Sequence, residues 1–291
     1  MTTKTNETGT AAGIERVMPR EGGPESSPTH SLKTVIHPQR GTNMTDHNSV
    51  PRANTTRTSS PGARQRRPIL GIAAAAILFI VAGVQYLVVE AIAASAWQTP
   101  AYSYASNFIS DLGAPDCSTF QGRGVCSPLH TVMNAGFIVQ GVLFVVASIL
   151  LMRLVSGRAR NVYLVIALIY GVGMVLVGYF HGSTEATENG TVVYHYIGAS
   201  MAILGGNVAA IVAGFQWRRL EMPRWFGIVS IVIGCIGLAS AVVLGTTLGV
   251  LPSGIPERAS VYTITAWQTL TGIVLLVGLR RRTRSETNVA N

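Results

Sequence analysis

The sequence predicts an all-α integral membrane protein: a six-transmembrane-helix bundle with both termini cytoplasmic and a long, disulfide-closed first outer loop. Three observations carry this. The chain is 48% apolar and 12% charged, where soluble domains carry about 25% charged residues. Six long apolar spans follow Pro68. Arginines mark every second connection between those spans, thirteen residues on one side against two on the other.

Residues 1–67 come first and are rich in Thr, Ser, Asn, Pro and Gly, with no apolar periodicity. Such a segment cannot bury enough surface to offset its ordering entropy, so it reads as a disordered cytoplasmic tail. Met1, Met18 and Met44 are alternative starts, and nothing in the tail resembles a phosphate loop or a metal site.

The spans read as 69–89, 131–152, 162–180, 196–217, 225–248 and 261–279. At about 1.5 Å rise per residue each covers a hydrocarbon core of about 30 Å. None contains Asp, Glu, Lys or Arg, any of which would cost about 2.5–3.5 kcal/mol at mid-bilayer. Helices are required there because lipid offers backbone groups no hydrogen-bond partner. Arg64-Gln-Arg-Arg67, the apolar run and Ala94-Ser-Ala96 also imitate a signal peptide. The first apolar stretch is too long for a signal core of about 7–15 residues, so it reads as a span. Residues 285–291 close the chain as a second cytoplasmic tail.

Basic residues number 22 and acidic ones 13. On a soluble protein that excess would point to nucleic acid. Here Arg64, Arg66, Arg67, Arg153, Arg158, Arg160, Arg218, Arg219, Arg224, Arg280, Arg281, Arg282 and Arg284 flank spans on one side, and only Arg123 and Arg258 lie on the other. The excess is therefore orientation, with the arginine side cytoplasmic. The partner this implies is a lipid bilayer, the bacterial plasma (inner) membrane, and no nucleic acid. Trp97, Tyr163, Tyr179, Tyr194, Tyr196, Trp217, Trp225 and Tyr262 fall near span ends, as an interfacial belt would.

Small residues recur every fourth position in the fourth span (Gly198, Ala202, Gly206, Ala210, Gly214) and the fifth (Gly237, Ala241, Gly245, Gly249). Such ridges let a neighbouring backbone approach closely. They predict that these two spans are central and touch, or that one ridge forms a homodimer seam. Gln85, Asn134, Gln140, Asn207 and Gln268 are read as interhelical hydrogen-bond partners. With no charge inside a span, an ion-driven pump is disfavoured.

The first outer connection is the longest. It holds Cys117 and Cys126, whose spacing is not that of a thiolate metal pair, so on an oxidising face they are expected to bridge. Cys235 reads as a small buried residue. Ser127-Pro128 has the form of a helix N-cap and first turn. His130, His181 and His195 then fall at one level, the outer boundary, on the same side as Glu90 and Asp111. Boundary histidines ordinarily bond loop backbone. The sharper alternative is a zinc site of His130, His181, His195 and Asp111 with one position open for water, in a membrane-embedded hydrolase. The spacing matches no diagnostic metal motif, and no other cofactor is evident.

The stretch Ser106-Asn-Phe-Ile-Ser-Asp-Leu-Gly113, with Ser127-Pro128, Asn134 and Gly141, resembles bacterial membrane proteins of the domain-of-unknown-function 998 family. His195-Tyr-Ile-Gly-Ala199 and Gly205-Gly-Asn207 are similar to it too. The resemblance covers residues 68–282. It implies a six-helix membrane protein and no established activity. The sequence thus points first to a non-enzymatic role in membrane organisation, partner binding or sensing, then to a metal-dependent hydrolase, then to a small-molecule transporter with a mid-membrane cavity near Asn134, Asn207 or Gln268.

Overall fold

A computed structural model describes residues 61–246 and 252–290, with side chains for 69–246 and 252–282. The tail 1–60 with Met18 and Met44, and Gly249 of the fifth-span ridge, lie outside the described residues. The elements are α1 (Pro61–Ala96), β1 (Ser118–Phe120), β2 (Arg123–Val125), α2 (His130–Leu151), α3 (Arg158–Tyr179), α4 (Thr184–Glu188), α5 (Val192–Phe215), α6 (Arg224–Thr246) and α7 (Gly254–Ala290). Among the described residues six helices are long and apolar enough to cross a membrane: all but α4. The protein is a multi-pass membrane protein.

The six long helices form a ring in which each packs on its chain neighbour, and α1 closes onto α7. Helix α5 also touches α7 across the ring. Aromatic rings fill the interior. Phe144 packs on Phe79 at 5.8 Å, on Tyr170 at 4.3 Å and on Trp267 at 6.2 Å between centroids. Beside them runs an amide chain. Gln85 donates to Gln140 at 2.9 Å, and Gln140 donates to Gln268 at 2.7 Å and to Tyr170 Oη at 3.1 Å. Four helices are joined by this network, each bond worth about 0.6 kcal/mol in a membrane.

Glycines set the close seams. A Cβ on Gly198 would lie 2.6 Å from Leu176 Cβ, and one on Gly206 2.9 Å from Tyr170 Cδ2. One on Gly214 would lie 2.8 Å from the Gly227 carbonyl. The ridge of α5, with Ala202 and Ala210 buried, is therefore occupied by α3, α6 and α7 of the same chain. The fourth span is central, as expected. The fifth is not: only 22% of its apolar window is buried, against 39–50% in the others. Gly237 meets Asn207 and Thr263, but a Cβ on Gly245 would meet nothing within 4 Å. Half of the second ridge thus faces outward. Cys235, expected to be buried, is exposed on α6 for the same reason.

Several element ends depart from expectation. Helix α1 reaches Ala96, α5 starts at Val192, and α7 starts at Gly254 and runs to Ala290, so 285–290 are helical rather than tail. An apolar window stops at the first charge, whereas a helix continues while its charges find partners. Glu90, Glu257 and Arg258 are all buried as a result, which corrects the expectation of a bundle free of buried charge. Ser127 does not cap α2. Its hydroxyl donates to the Leu112 carbonyl at 2.7 Å, and a turn intervenes before His130. Trp97 and Tyr163, expected in the interfacial belt, are buried in the core.

Candidate functional site

The segment between α1 and α2 folds down onto one end of the ring. Asp111 organises it. Its carboxylate accepts from the Phe108 backbone N–H at 2.9 Å and from Arg123 Nε and Nη2 at 3.0 and 3.1 Å. Arg123 also stacks 4.0 Å over the Phe108 ring. Residues 118–125 form a hairpin, β1 antiparallel to β2 with Ser118 opposite Val125. Its two-residue turn, Gln121-Gly122, has positive φ at both positions, the backbone that suits the twist of paired strands. Cys117 and Cys126 flank the hairpin with their Cα atoms 4.1 Å apart. Thr184 of α4 bonds Ser118 at 2.9 Å, tying the hairpin to the α3–α5 connection.

Arg258 anchors the same segment to α7. It donates to the carbonyls of Asn107 at 2.8 Å and Gly254 at 3.2 Å, to that of Tyr104 at 2.6 Å, and to the Tyr102 hydroxyl. Its guanidinium pairs with Glu90 at 3.2 Å, and Tyr262 donates to the same carboxylate at 3.0 Å. Burial raises the Tyr102 phenol above its ordinary range, so it remains a hydroxyl. Glu257 accepts from the Ile109 backbone N–H. Glu90 and Arg258 thus compensate each other, as the cost of an unpaired buried charge demands, while Glu257 is met by a backbone donor.

Beneath this cover lies a cavity of about 390 Å³. Ala199, Ile203 and Leu204 of α5 face Ala241, Leu244 and Gly245 of α6 across it, under Phe108 and Phe120. Its polar lining is Ser110, Gln121, His195, Tyr196, Ser200 and Glu257, with no Lys or Arg. A smaller space of about 40 Å³ continues inward and shares Ser110, Ala199, Ile203 and Glu257 with it. At its α6 wall, a Cβ on Gly245 would meet nothing within 4 Å among the described residues. An apolar pocket of this size with a few polar groups at one end is the usual form of a small-molecule site.

The histidines sit at this end, with differing surroundings. His130 Nδ1 lies 3.1 Å from the Ser127 carbonyl, and His195 Nδ1 lies 2.9 Å from the Phe180 carbonyl. A carbonyl only accepts, so both Nδ1 atoms carry hydrogen, and in the neutral ring Nε2 keeps the lone pair. His181 lies near enough to His130 to feel its charge, and burial first, then His130, lowers its pKa. Among the described residues no three His, Cys, Asp or Glu side chains converge as metal ligands. Asp111 is engaged by Arg123. The structure therefore brings His195 to the cavity, leaves His130 and His181 near one another and outside its lining, and ties Asp111 into the loop above it.

Sequence reasoning missed Glu257, Ser110 and Tyr196 as lining groups. The signal for Glu257 was the Glu257-Arg258 pair just ahead of the last apolar run, which reads as loop until α7 is seen to begin at Gly254. Asn134, Asn207 and Gln268 line neither space. Asn134 donates to Gly113, Asn207 to Ser260, and Gln268 accepts from Gln140.

No curated protein and no solved structure shows significant similarity to this chain. One family does, described as "Protein of unknown function (DUF998)", and it matches residues 80–274, from the middle of α1 to the middle of α7. The match takes in the loop organised by Asp111, the hairpin and the whole α5–α6 cleft. The chain belongs to the DUF998 family.

Proposed function

We propose that this protein is a non-enzymatic receptor of the bacterial plasma membrane, which binds or senses an amphiphilic molecule in the outer leaflet. The observation that carries the reading is the apolar cleft of about 390 Å³ between α5 and α6, open at the side of the bundle and roofed by the first loop. The orientation rests on the arginines: thirteen at the end away from the loop against Arg123 and Arg258 beside it. Both termini are then cytoplasmic, and the Cys117–Cys126 bridge lies on the oxidising side, where it persists. The uncovered ridge of α6 is the entrance to the cleft rather than a homodimer seam. The reading requires no cofactor.

A zinc hydrolase built on His130, His181, His195 and Asp111 has less support, because Arg123 already holds both oxygens of Asp111. A transporter has less still, because the mid-membrane amides are bonded to one another and to backbone.

The test is mass spectrometry of lipids retained by the purified chain, compared with Gly245→Trp, which fills the cleft where a Cβ meets nothing. A stoichiometric amphiphile in the wild type, lost in the variant, is expected. Equal lipid content in the two would overturn the reading. A carboxy-terminal fluorescent fusion that matures only in the cytoplasm checks orientation, and a dark fusion would reverse it.

A further inference from the structure

Among the described residues, no protein group bonds His195 Nε2. The ring is 5% exposed and lines the cleft. Its other nitrogen is committed to the Phe180 carbonyl at 2.9 Å, which fixes the tautomer and leaves the lone pair of Nε2 as an acceptor. Nε2 is therefore the edge of a nearly buried ring that opens onto the cleft, and its lone pair is offered to whatever fills that space, water or ligand. Two serine hydroxyls lie near it, that of Ser110 half-buried and that of Ser200 exposed. Ser110 lines both spaces, and Ser200 lies one helical turn below Tyr196 on the same face of α5.

The charges around this head select among ligands. Among the described residues neither Lys nor Arg lines the cleft, and the guanidinium groups of Arg123 and Arg258 in the cover above it are taken up by Asp111 and Glu90. A phosphate or carboxylate head would enter facing Glu257 without a counter-charge. An ammonium head would have to reach Glu257, whose carboxylate is 8% exposed and holds the Ile109 backbone N–H on one oxygen. A neutral hydroxyl meets every requirement. It donates to His195 Nε2 and accepts from a serine hydroxyl, while its chain lies along Ala199, Ile203 and Leu244.

We infer that the cleft takes an uncharged, hydroxyl-headed amphiphile, its hydroxyl donating to His195 Nε2. This rests on the cleft being a ligand site, as proposed above.

Native mass spectrometry of the purified full chain, titrated with 1-monooleoylglycerol and with methyl oleate, tests it. The two share a chain, and only the first donates a hydrogen bond. The wild type is expected to bind monooleoylglycerol about 5–10-fold more tightly, the range of one hydrogen bond. His195→Asn keeps a donor toward Phe180 and removes the Nε2 acceptor. It should abolish the difference between the two probes. Equal binding of both probes by the wild type, with both blocked by Gly245→Trp, would overturn the hydroxyl preference and leave the cleft as a ligand site. Binding of both probes that Gly245→Trp does not reduce would overturn the ligand site and this inference together. A preference for monooleoylglycerol that survives in His195→Asn would overturn the role of His195.

Discussion

Arg123 grips Asp111 through two nitrogens, Nε at 3.0 Å and Nη2 at 3.1 Å, and so clamps the hairpin to the loop that roofs the cleft. The pair is nearly buried, with side-chain exposures of 13% and 1%, and Asp111 also accepts from Phe108 backbone. Asp111→Ala should therefore leave Arg123 without a partner and loosen the segment as a unit. Hydrogen exchange across residues 103–125 is expected to accelerate by at least tenfold, while α2 and α3 stay protected. Unchanged exchange would show that the sulfur bridge alone holds the loop.

The Glu90–Arg258 pair makes a second prediction. Removing one member of a buried pair strands the other, at about 3–5 kcal/mol. Arg258→Ala should cost that much in thermal or denaturant unfolding of the purified chain. Arg258→Lys should recover only part of it, because one ammonium cannot reach Glu90, Tyr102 and three carbonyls at once. Full rescue by lysine would mean that charge alone matters at this position.

The glycine seams predict a contrast between two ridges of like sequence. Gly198→Ala drives a methyl to 2.6 Å from Leu176 Cβ and should destabilise by about 1–3 kcal/mol. Gly245→Ala enters open space and should fall within about 0.5 kcal/mol of wild type. Equal effects would show that α6 packs more closely than its exposure indicates.

Acid should weaken the protein at His181. Burial, then His130, lowers its pKa in the fold, with Asp116 and Glu185 opposing. Between the lowered folded value and the ordinary unfolded one near 6.5, the unfolded chain binds more protons. Stability is then full above about pH 6.5 and declines as pH falls through that window. Melting temperature measured from pH 7.5 to 5 should drop less steeply in His181→Gln. Identical slopes would remove His181 from the acid response.

The span count and the apolar mid-sections were legible because each is a local property: run length and composition. The ridge of α5 was legible for the same reason. That the like ridge of α6 would stay half uncovered was not, since period-four glycines state what a helix permits and not which neighbour arrives. Glu257 was hidden by its charge, which ends an apolar window although the Ile109 backbone N–H receives it. Asp111 was read as a candidate ligand because its guanidinium partner lies 12 residues along the chain, in a hairpin that no strand-length apolar alternation announces. His195 was read as a residue near a span end, but its orientation toward the cleft depends on the Phe180 carbonyl, just past the end of α3.

Closure of the ring by α1 and α7 also imposes an order in time. Arg258 is synthesised 168 residues after Glu90. At about 5–20 residues per second, that is roughly 10–30 s. Through that interval the first helix is in place with a carboxylate whose guanidinium has not yet been made. Until Arg258 exists, Glu90 lacks the cation it pairs with in the finished ring, and burying it alone would carry the cost of an unpaired charge. The seat of α1 is therefore completed only by α7.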